Sequence, residues 1–219
     1  LLDWLEENDL RENTLIVFTA DNGMSMGHHG IWGKGNGTYP ANMYDTAVKV
    51  PGIISRPGHV PEGKVEDYLL SHYDLMPTIL DYVGISEVNT DAESLPGSSF
   101  VPILDGELMD ANRSVVVLDE YGPTRMIRTK SLKYVHRYPD GPHEFFDLAN
   151  DPNEVTNAID DPAFGSIIKN MQAELQVWFD RYTEPAHDGT KQDVKGRGQL
   201  DLIGTEKPFA QDLRYLRDA

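Results

Sequence analysis

The residues with the most chemistry for their length lie between positions 15 and 35. An apolar run ends in Asp21-Asn22-Gly23, His28-His29 follow a few residues on, and Lys34 sits between Gly33 and Gly35. A carboxylate and an amide carbonyl side by side are oxygen donors of the kind a hard divalent cation takes, Ca2+ or Mg2+. A lysine between glycines can approach an anion closely and act as a point charge on sulfate or phosphate. His28 and His29 can donate to an oxyanion or serve as a general acid near neutral pH. Each feature also has a plainer reading. Asp-Asn-Gly is a strong turn sequence, Lys34 can be a solvated loop lysine, and either histidine can be a structural hydrogen-bonding residue. Adjacent residues in an extended loop point apart, so at most one histidine is expected to face a site.

The flanking sequence must position these groups. Residues 1–8 fit a helix with Leu1, Leu2 and Leu5 on one face. Glu12-Asn13-Thr14 breaks it. Residues 14–20 (TLIVFTA) form a continuous β-branched and aromatic run, the pattern of a strand buried on both faces of a parallel sheet. Helix, turn and strand make an α/β unit, and ligands of such sheets sit beyond the carboxyl ends of the strands. Asp21 and Asn22 fall there. Residues 23–42 read as a loop, 44–48 as a short helix, and 50–55 as a strand. A helix over 74–84 is expected, with Asp74 as N-cap, Pro77 in its first turn and Gly84 at its C-terminus.

From Ser114 the texture changes. Segments 114–120, 125–129, 132–137 and 144–147 read as a short-stranded antiparallel meander. A helix beginning at Asp161-Pro162 and running to about Arg181 carries an apolar stripe of Ile167, Ile168, Met171, Leu175, Trp178 and Phe179. The expected organisation is an α/β portion over 1–110, an α+β subdomain over 111–183, and an irregular tail over 184–219.

Acidic residues number 36 against 19 basic, a formal net charge of −17. That balance argues against a broad nucleic-acid surface. No apolar run approaches the roughly 20 residues of a membrane-spanning helix. There is no cysteine, so disulfides, zinc–thiolate sites and a cysteine nucleophile are excluded within these residues. The chain opens on Leu1, inside an expected helix, and reads as the later part of a longer protein.

The order DNG, GHHG, WGKG, then Tyr44-Asp45-Thr46-Ala47-Val48-Lys49-Val50-Pro51 resembles the sulfatase family of the alkaline phosphatase superfamily, formylglycine-dependent type. That family carries a D-N-G or D-H-G metal motif after a buried strand, a G-x-H-G turn, a G-K-G lysine and a segment like Y-E-x-x-x-R-V-P. Here Asp45 stands for the glutamate and Lys49 for the arginine. The resemblance continues through Arg56-Pro57-Gly58, Leu95-Pro96-Gly97, Met126-Ile127-Arg128-Thr129 with Lys133-Tyr134, and Phe146-Asp147-Leu148 to Asp151-Pro152 and Glu154. It covers roughly residues 1–183.

The resemblance implies an alkaline-phosphatase-like, mostly parallel sheet flanked by helices, here its C-terminal part. The smaller α+β subdomain, with its antiparallel sheet and long helix, follows it. It implies Asp21 and Asn22 as ligands of Ca2+ or Mg2+, and Lys34 as a catalytic and sulfate-binding residue. His28 would line the pocket and serve in catalysis, and His29 would contact substrate or hold the loop. Arg56, Arg125 and Arg128 are expected to be structural. The C/S-x-P-S/A-R motif that yields formylglycine does not occur in these residues and belongs, by resemblance, to an N-terminal part. The isolated chain is therefore expected to lack turnover and to need that half or to self-associate. A sulfated small molecule or sulfated carbohydrate is the expected substrate, and the periplasm or the extracellular space the expected location. Two other readings stand beside this one: a phosphatase, phosphodiesterase or phosphonate hydrolase of the same superfamily, and a non-catalytic binding module on the same fold.

Overall fold

A computed structural model describes residues 1–85, 95–119 and 122–191. The chain divides into two compact units with an interleaved path. The first comprises Leu1–Gly23 and Lys49–Arg113, the second Met24–Val48 and Ser114 onward.

In the first unit, α1 (Leu2–Glu7) buries Leu5 and gives way to a 3-10 turn at Arg11–Asn13. Strand β1 (Ile16–Phe18) follows. Its pair is β4 (Ile53–Ser55), antiparallel, with Val17 opposite Ile54. The continuous apolar run predicts a strand covered on both faces, yet Phe18 is 59% exposed and Ile53 58%. The apolar character is that of an interior strand, but among the described residues its cover is incomplete. Arg56 ties the end of β4 back to the helix–strand turn, donating to Glu12 O at 2.9 Å and to Asn13 Oδ1 at 3.3 Å.

Helix α3 (Leu75–Tyr82) starts from a 3-10 turn over His72–Asp74. A capping box closes that turn: the Ser71 side chain accepts from the Asp74 N–H, and the Asp74 carboxylate accepts from the Ser71 N–H. Asp74 stands at the N-cap position of α3, as expected, but its side chain makes no cap bond to that helix; the side-chain cap is Ser71, at the start of the preceding 3-10 turn. Gly84 ends the helix at φ 74°, a left-handed conformation that suits glycine. The short α4 (Val101–Leu104) follows, with Pro102 in its first turn. The expected loop over 90–99 lies partly outside the described residues.

The second unit contains a four-stranded antiparallel meander, β5 (Val115–Leu118), β6 (Thr124–Arg128), β7 (Leu132–Arg137) and β8 (Glu144–Asp147), in sequential order. Alternation along β7 divides its side chains. Tyr134 joins Val116, Ile127 and Phe145 in the core beneath the long helix α5 (Gly165–Tyr182), which contributes Met171, Leu175 and Phe179. Asp161 caps the 3-10 lead-in to α5 by accepting from Ala163 N. Lys133, Val135 and Arg137 face the other way. There Met43 packs against Met126 and Val135, with Val48 beside them. The segment 24–48 is therefore folded onto the sheet face opposite α5.

Candidate functional site

Asp21 and Asn22 bend the chain just past β1 in the first unit. The Asp21 carboxylate is exposed and accepts from the Asn22 N–H at 2.9 Å. Asn22 donates its amide nitrogen to Gly23 O at 2.8 Å, so its carbonyl oxygen is the end with ligand chemistry. An exposed carboxylate next to an amide oxygen fits part of a hard-cation site, two of the six to eight oxygens Ca2+ takes. Among the described residues no group of three His, Asp or Glu is arranged to hold a metal ion by itself.

His28, His29 and Lys34 belong to the second unit. Where a loop is expected, a small hairpin forms: β2 (Ser25–Met26) pairs with β3 (Trp32–Gly33), and Gly27 to Ile31 closes it. Two-residue strands carry no periodicity for a sequence to display. The hairpin turn needs left-handed backbone at Gly27 (φ 95°), His29 (φ 53°) and Gly30 (φ 72°). Two of those positions are glycine; the third is held by stacking. The His29 ring lies on Tyr44 with centroids 3.8 Å apart and planes 7° from parallel. His28 is also exposed, and its Nδ1 accepts from Met26 N at 3.4 Å. The two rings thus have different partners, as adjacent residues pointing apart should.

Lys34 is exposed at the exit of the hairpin. Its backbone is held by a buried residue, Asn42, whose side-chain amide donates to Lys34 O (3.3 Å), Gly35 O (3.1 Å) and Thr38 Oγ1 (3.0 Å). The backbone folds tightly here. A Cβ at Gly33 would come within 3.2 Å of Gly37 Cα, and one at Gly35 within 3.1 Å of Asn42 O. The two glycines around Lys34 therefore permit this close loop.

A second cluster lies on the same segment, and sequence reasoning did not isolate it. Lys133 is 0% exposed and donates to Met43 O (2.9 Å), to the Asp45 carboxylate and to the Glu154 carboxylate. Arg128 also pairs with Asp45, through Nε at 3.2 Å and Nη2 at 3.0 Å. Glu154 accepts from Asp45 N at 2.6 Å. Burial alone would raise the Asp45 carboxyl, but Lys133 and Arg128 together hold it below its ordinary value. Glu154 is more deeply buried, and desolvation keeps its carboxyl raised despite Lys133. Burial, with Glu144 nearby, also raises the Tyr44 hydroxyl. The residue types were visible in the sequence; their pairing spans up to 109 positions, and no local pattern encodes it. Arg125, expected to be structural, pairs with Asp188 at 2.7 Å and stacks its guanidinium on Phe179 at 3.8 Å.

A separate cavity of about 220 Å³ lies between β7 and α5, lined by His136, Tyr138, Gln172, Leu175 and Gln176. None of the expected site residues reaches it. Among the described residues no helix is long and apolar enough to cross a membrane.

Comparison with known proteins gives this arrangement a family. The model for the C-terminal part of N-sulphoglucosamine sulphohydrolase matches residues 27–180, from the hairpin turn almost to the end of α5. An uncharacterized sulfatase of Escherichia coli (strain K12), YidJ, is 33% identical over 180 residues, which cover 80% of this chain and 34% of that protein. A solved structure of a protein in complex with its substrate D-glucosamine-2-N,6-O-disulfate superposes with a TM-score of 0.72 at 27% identity. That match covers 85% of this chain and 38% of the other. The phosphonate monoester hydrolase of Agrobacterium radiobacter superposes with a TM-score of 0.65 at 26% identity, covering 80% and 37%. The chain spans about a third of the length of the relatives it matches. These neighbours carry the expected alkaline-phosphatase-like fold, and the antiparallel sheet with its long helix is the subdomain that ends it. The chain belongs to the sulfatase family of the alkaline phosphatase superfamily and corresponds to its C-terminal portion.

Proposed function

We propose that this chain supplies the later half of a sulfatase active site, acting on the sulfate ester of a small molecule or a carbohydrate. One observation carries the reading: Lys34 is presented on a glycine-framed loop whose backbone is locked by Asn42. An ammonium carried on a fixed backbone can balance charge that develops on a transferring sulfuryl group. His28 is exposed beside it in sequence and is the proposed proton donor to the leaving alcohol. His29 is committed to Tyr44, which fits a loop-holding role with at most an edge contact to substrate. Asp21 and Asn22 would hold Ca2+ or Mg2+, which when bound supplies positive charge against the sulfuryl oxygens. The remaining metal ligands and the formylglycine nucleophile are assigned to the N-terminal part of the full-length protein. The sulfated glucosamine bound by a structural neighbour supports the carbohydrate class. Location in the periplasm or outside the cell belongs to the same proposal.

The test is hydrolysis of an aryl sulfate and of 6-O-sulfated glucosamine by the full-length protein. Lys34→Ala should lower kcat/KM by about 10²-fold or more, the scale of losing one preorganised charge. An unchanged kcat/KM refutes the role of Lys34. The likeness to a phosphonate monoester hydrolase favours a second reading. Preference for a phenylphosphonate monoester over the aryl sulfate would select it. The isolated 219-residue chain should show no turnover and weak metal binding. With Trp4, Phe18 and Ile53 exposed in the first unit, it should also self-associate or capture its N-terminal half. A monodisperse monomer by light scattering would contradict the last point.

A further inference from the structure

We propose that the antiparallel sheet of the second unit, through Lys133 and Arg137, is the positioning platform for the sulfate-binding loop that carries Lys34. The inference rests on the proposed role of Lys34 and adds the residues that set where that lysine stands.

The argument starts from the backbone. Residues 38–44 have no regular secondary structure, so their carbonyls have no ladder to accept from. The sheet supplies the donors. Arg137 gives Nε (3.2 Å) and Nη2 (3.0 Å) to Ala41 O, and Lys133 gives Nζ to Met43 O at 2.9 Å. Between those two grips lies Asn42, whose amide fixes the carbonyls of Lys34 and Gly35. The connection from sheet to loop is thus continuous: Lys133 and Arg137 hold 41 and 43, and 42 holds 34 and 35.

The charges point the same way. Lys133 and Arg128 face Asp45 and Glu154, two cations against two carboxylates, with Lys133 wholly buried. Desolvating such a set offsets most of its Coulombic attraction, so an apolar filling of the same volume would hold the fold about as well. What a buried polar network adds is one permitted geometry. Glu154 gives a second sign. It sits at φ 55°, a left-handed conformation that a residue with a Cβ adopts at a cost, and it is buried there with its carboxylate on Lys133 and on Asp45 N. The backbone accepts strain at the residue that completes the clamp. Lys133, Arg137 and Glu154 touch no expected substrate atom; they are positioning residues acting through Asn42 and α2 (Asp45–Val48).

The experiment uses the full-length protein, an aryl sulfate as substrate and inorganic sulfate as competitive inhibitor, at a temperature where every variant is folded by circular dichroism. Lys133→Met should raise KM and the sulfate inhibition constant by about 10-fold or more, as a loop displaced by a fraction of an ångström would. Should that variant fail to fold, Arg128→Gln leaves Lys133 between its carboxylates and should raise both constants in the same direction by a smaller factor. Met171→Ala, beneath α5 on the opposite face of the sheet, is the stability control: it should lower the melting temperature and leave both constants unchanged. If Lys133→Met and Arg128→Gln reduce only the melting temperature or the active fraction, with KM and sulfate inhibition as in the parent, the platform is refuted. Lys34→Ala separates the two layers. Loss of sulfate inhibition there with none in the clamp variants removes the platform alone. Retention of sulfate inhibition in Lys34→Ala removes the reading on which the platform rests.

Discussion

Asp74 offers a sharp test of how the first unit is held together. Its carboxylate is 0% exposed and accepts three donors: Ser71 N at 2.7 Å, Ser98 N at 3.0 Å and Arg113 Nη2 at 2.6 Å. One side chain thereby fixes the start of α3, the segment before α4 and the last residue of the unit. Asp74→Asn keeps the shape but removes the charge and turns one acceptor into a donor facing donors. Arg113→Met leaves the carboxylate buried with its two N–H partners and no cation. Removing one member of a buried pair costs about 3 to 5 kcal/mol. For a chain of this size that is a fall in melting temperature of about 6 to 20 °C. The double variant should be less destabilised than the sum, with a coupling of about 1 to 3 kcal/mol. Thermal and urea unfolding, followed by circular dichroism, read all four corners of the cycle. A fall of less than about 2 °C for Asp74→Asn, or singles that add within about 0.5 kcal/mol, would refute the reasoning.

Three further outcomes are expected. His136 is pushed down to about 4 from its ordinary 6.5 by burial, by His143 and by Arg125. The unfolded chain therefore takes up its proton first, so stability is full above about pH 6.5 and falls as the pH drops toward 4. His136→Gln should flatten that part of the urea-midpoint profile, and a profile parallel to the parent's counts against it. Glu154→Gly should be more stable than Glu154→Ala by about 1 kcal/mol, because both lose the clamp and only glycine relieves the φ of 55°. The usual order, alanine above glycine, would show that the backbone there is unstrained. Leu175→Ala, removing a buried side chain from the core under α5, should cost about 2 to 5 kcal/mol in urea unfolding; a cost below 1 kcal/mol would mean the helix is not seated on that core.

The second half of the chain was the more legible. Segments such as LKYVHR and EFFD alternate between two environments, and Pro139 to Pro142 marks the turn between them, so β7 and β8 fall where the pattern places them. The stripe from Ile167 to Phe179 likewise predicts α5. In the first half, residues 14–20 reveal a strand but not its partner. Their uniform apolarity says that both faces want cover, and β4 supplies only an edge. The candidate residues Asp21, Asn22, His28, His29 and Lys34 were visible as types at a spacing. What holds them was not. Asn42 reads as a polar loop residue until its amide is found on three acceptors. Lys133 sits in an alternating strand at a position indistinguishable from a solvent-facing one. Only the sheet's second buried face, made by a segment some 90 positions earlier, turns it into a buried cation.

The interleaved path has a consequence for synthesis. Asp45 leaves the ribosome 109 residues before Glu154, the carboxylate that caps its backbone N–H. At about 5 to 20 residues per second that is a delay of about 5 to 20 s. During this interval the Lys34 loop has its own hairpin but no sheet to close against, while β1 and β4 of the first unit are already complete as a pair. The Lys34 loop therefore waits for a sheet made about 90 residues later before it takes its final shape. A nascent chain stalled before residue 132 would carry Lys34 and Asn42 but neither Lys133 nor Arg137, the cations that bond Met43 O and Ala41 O.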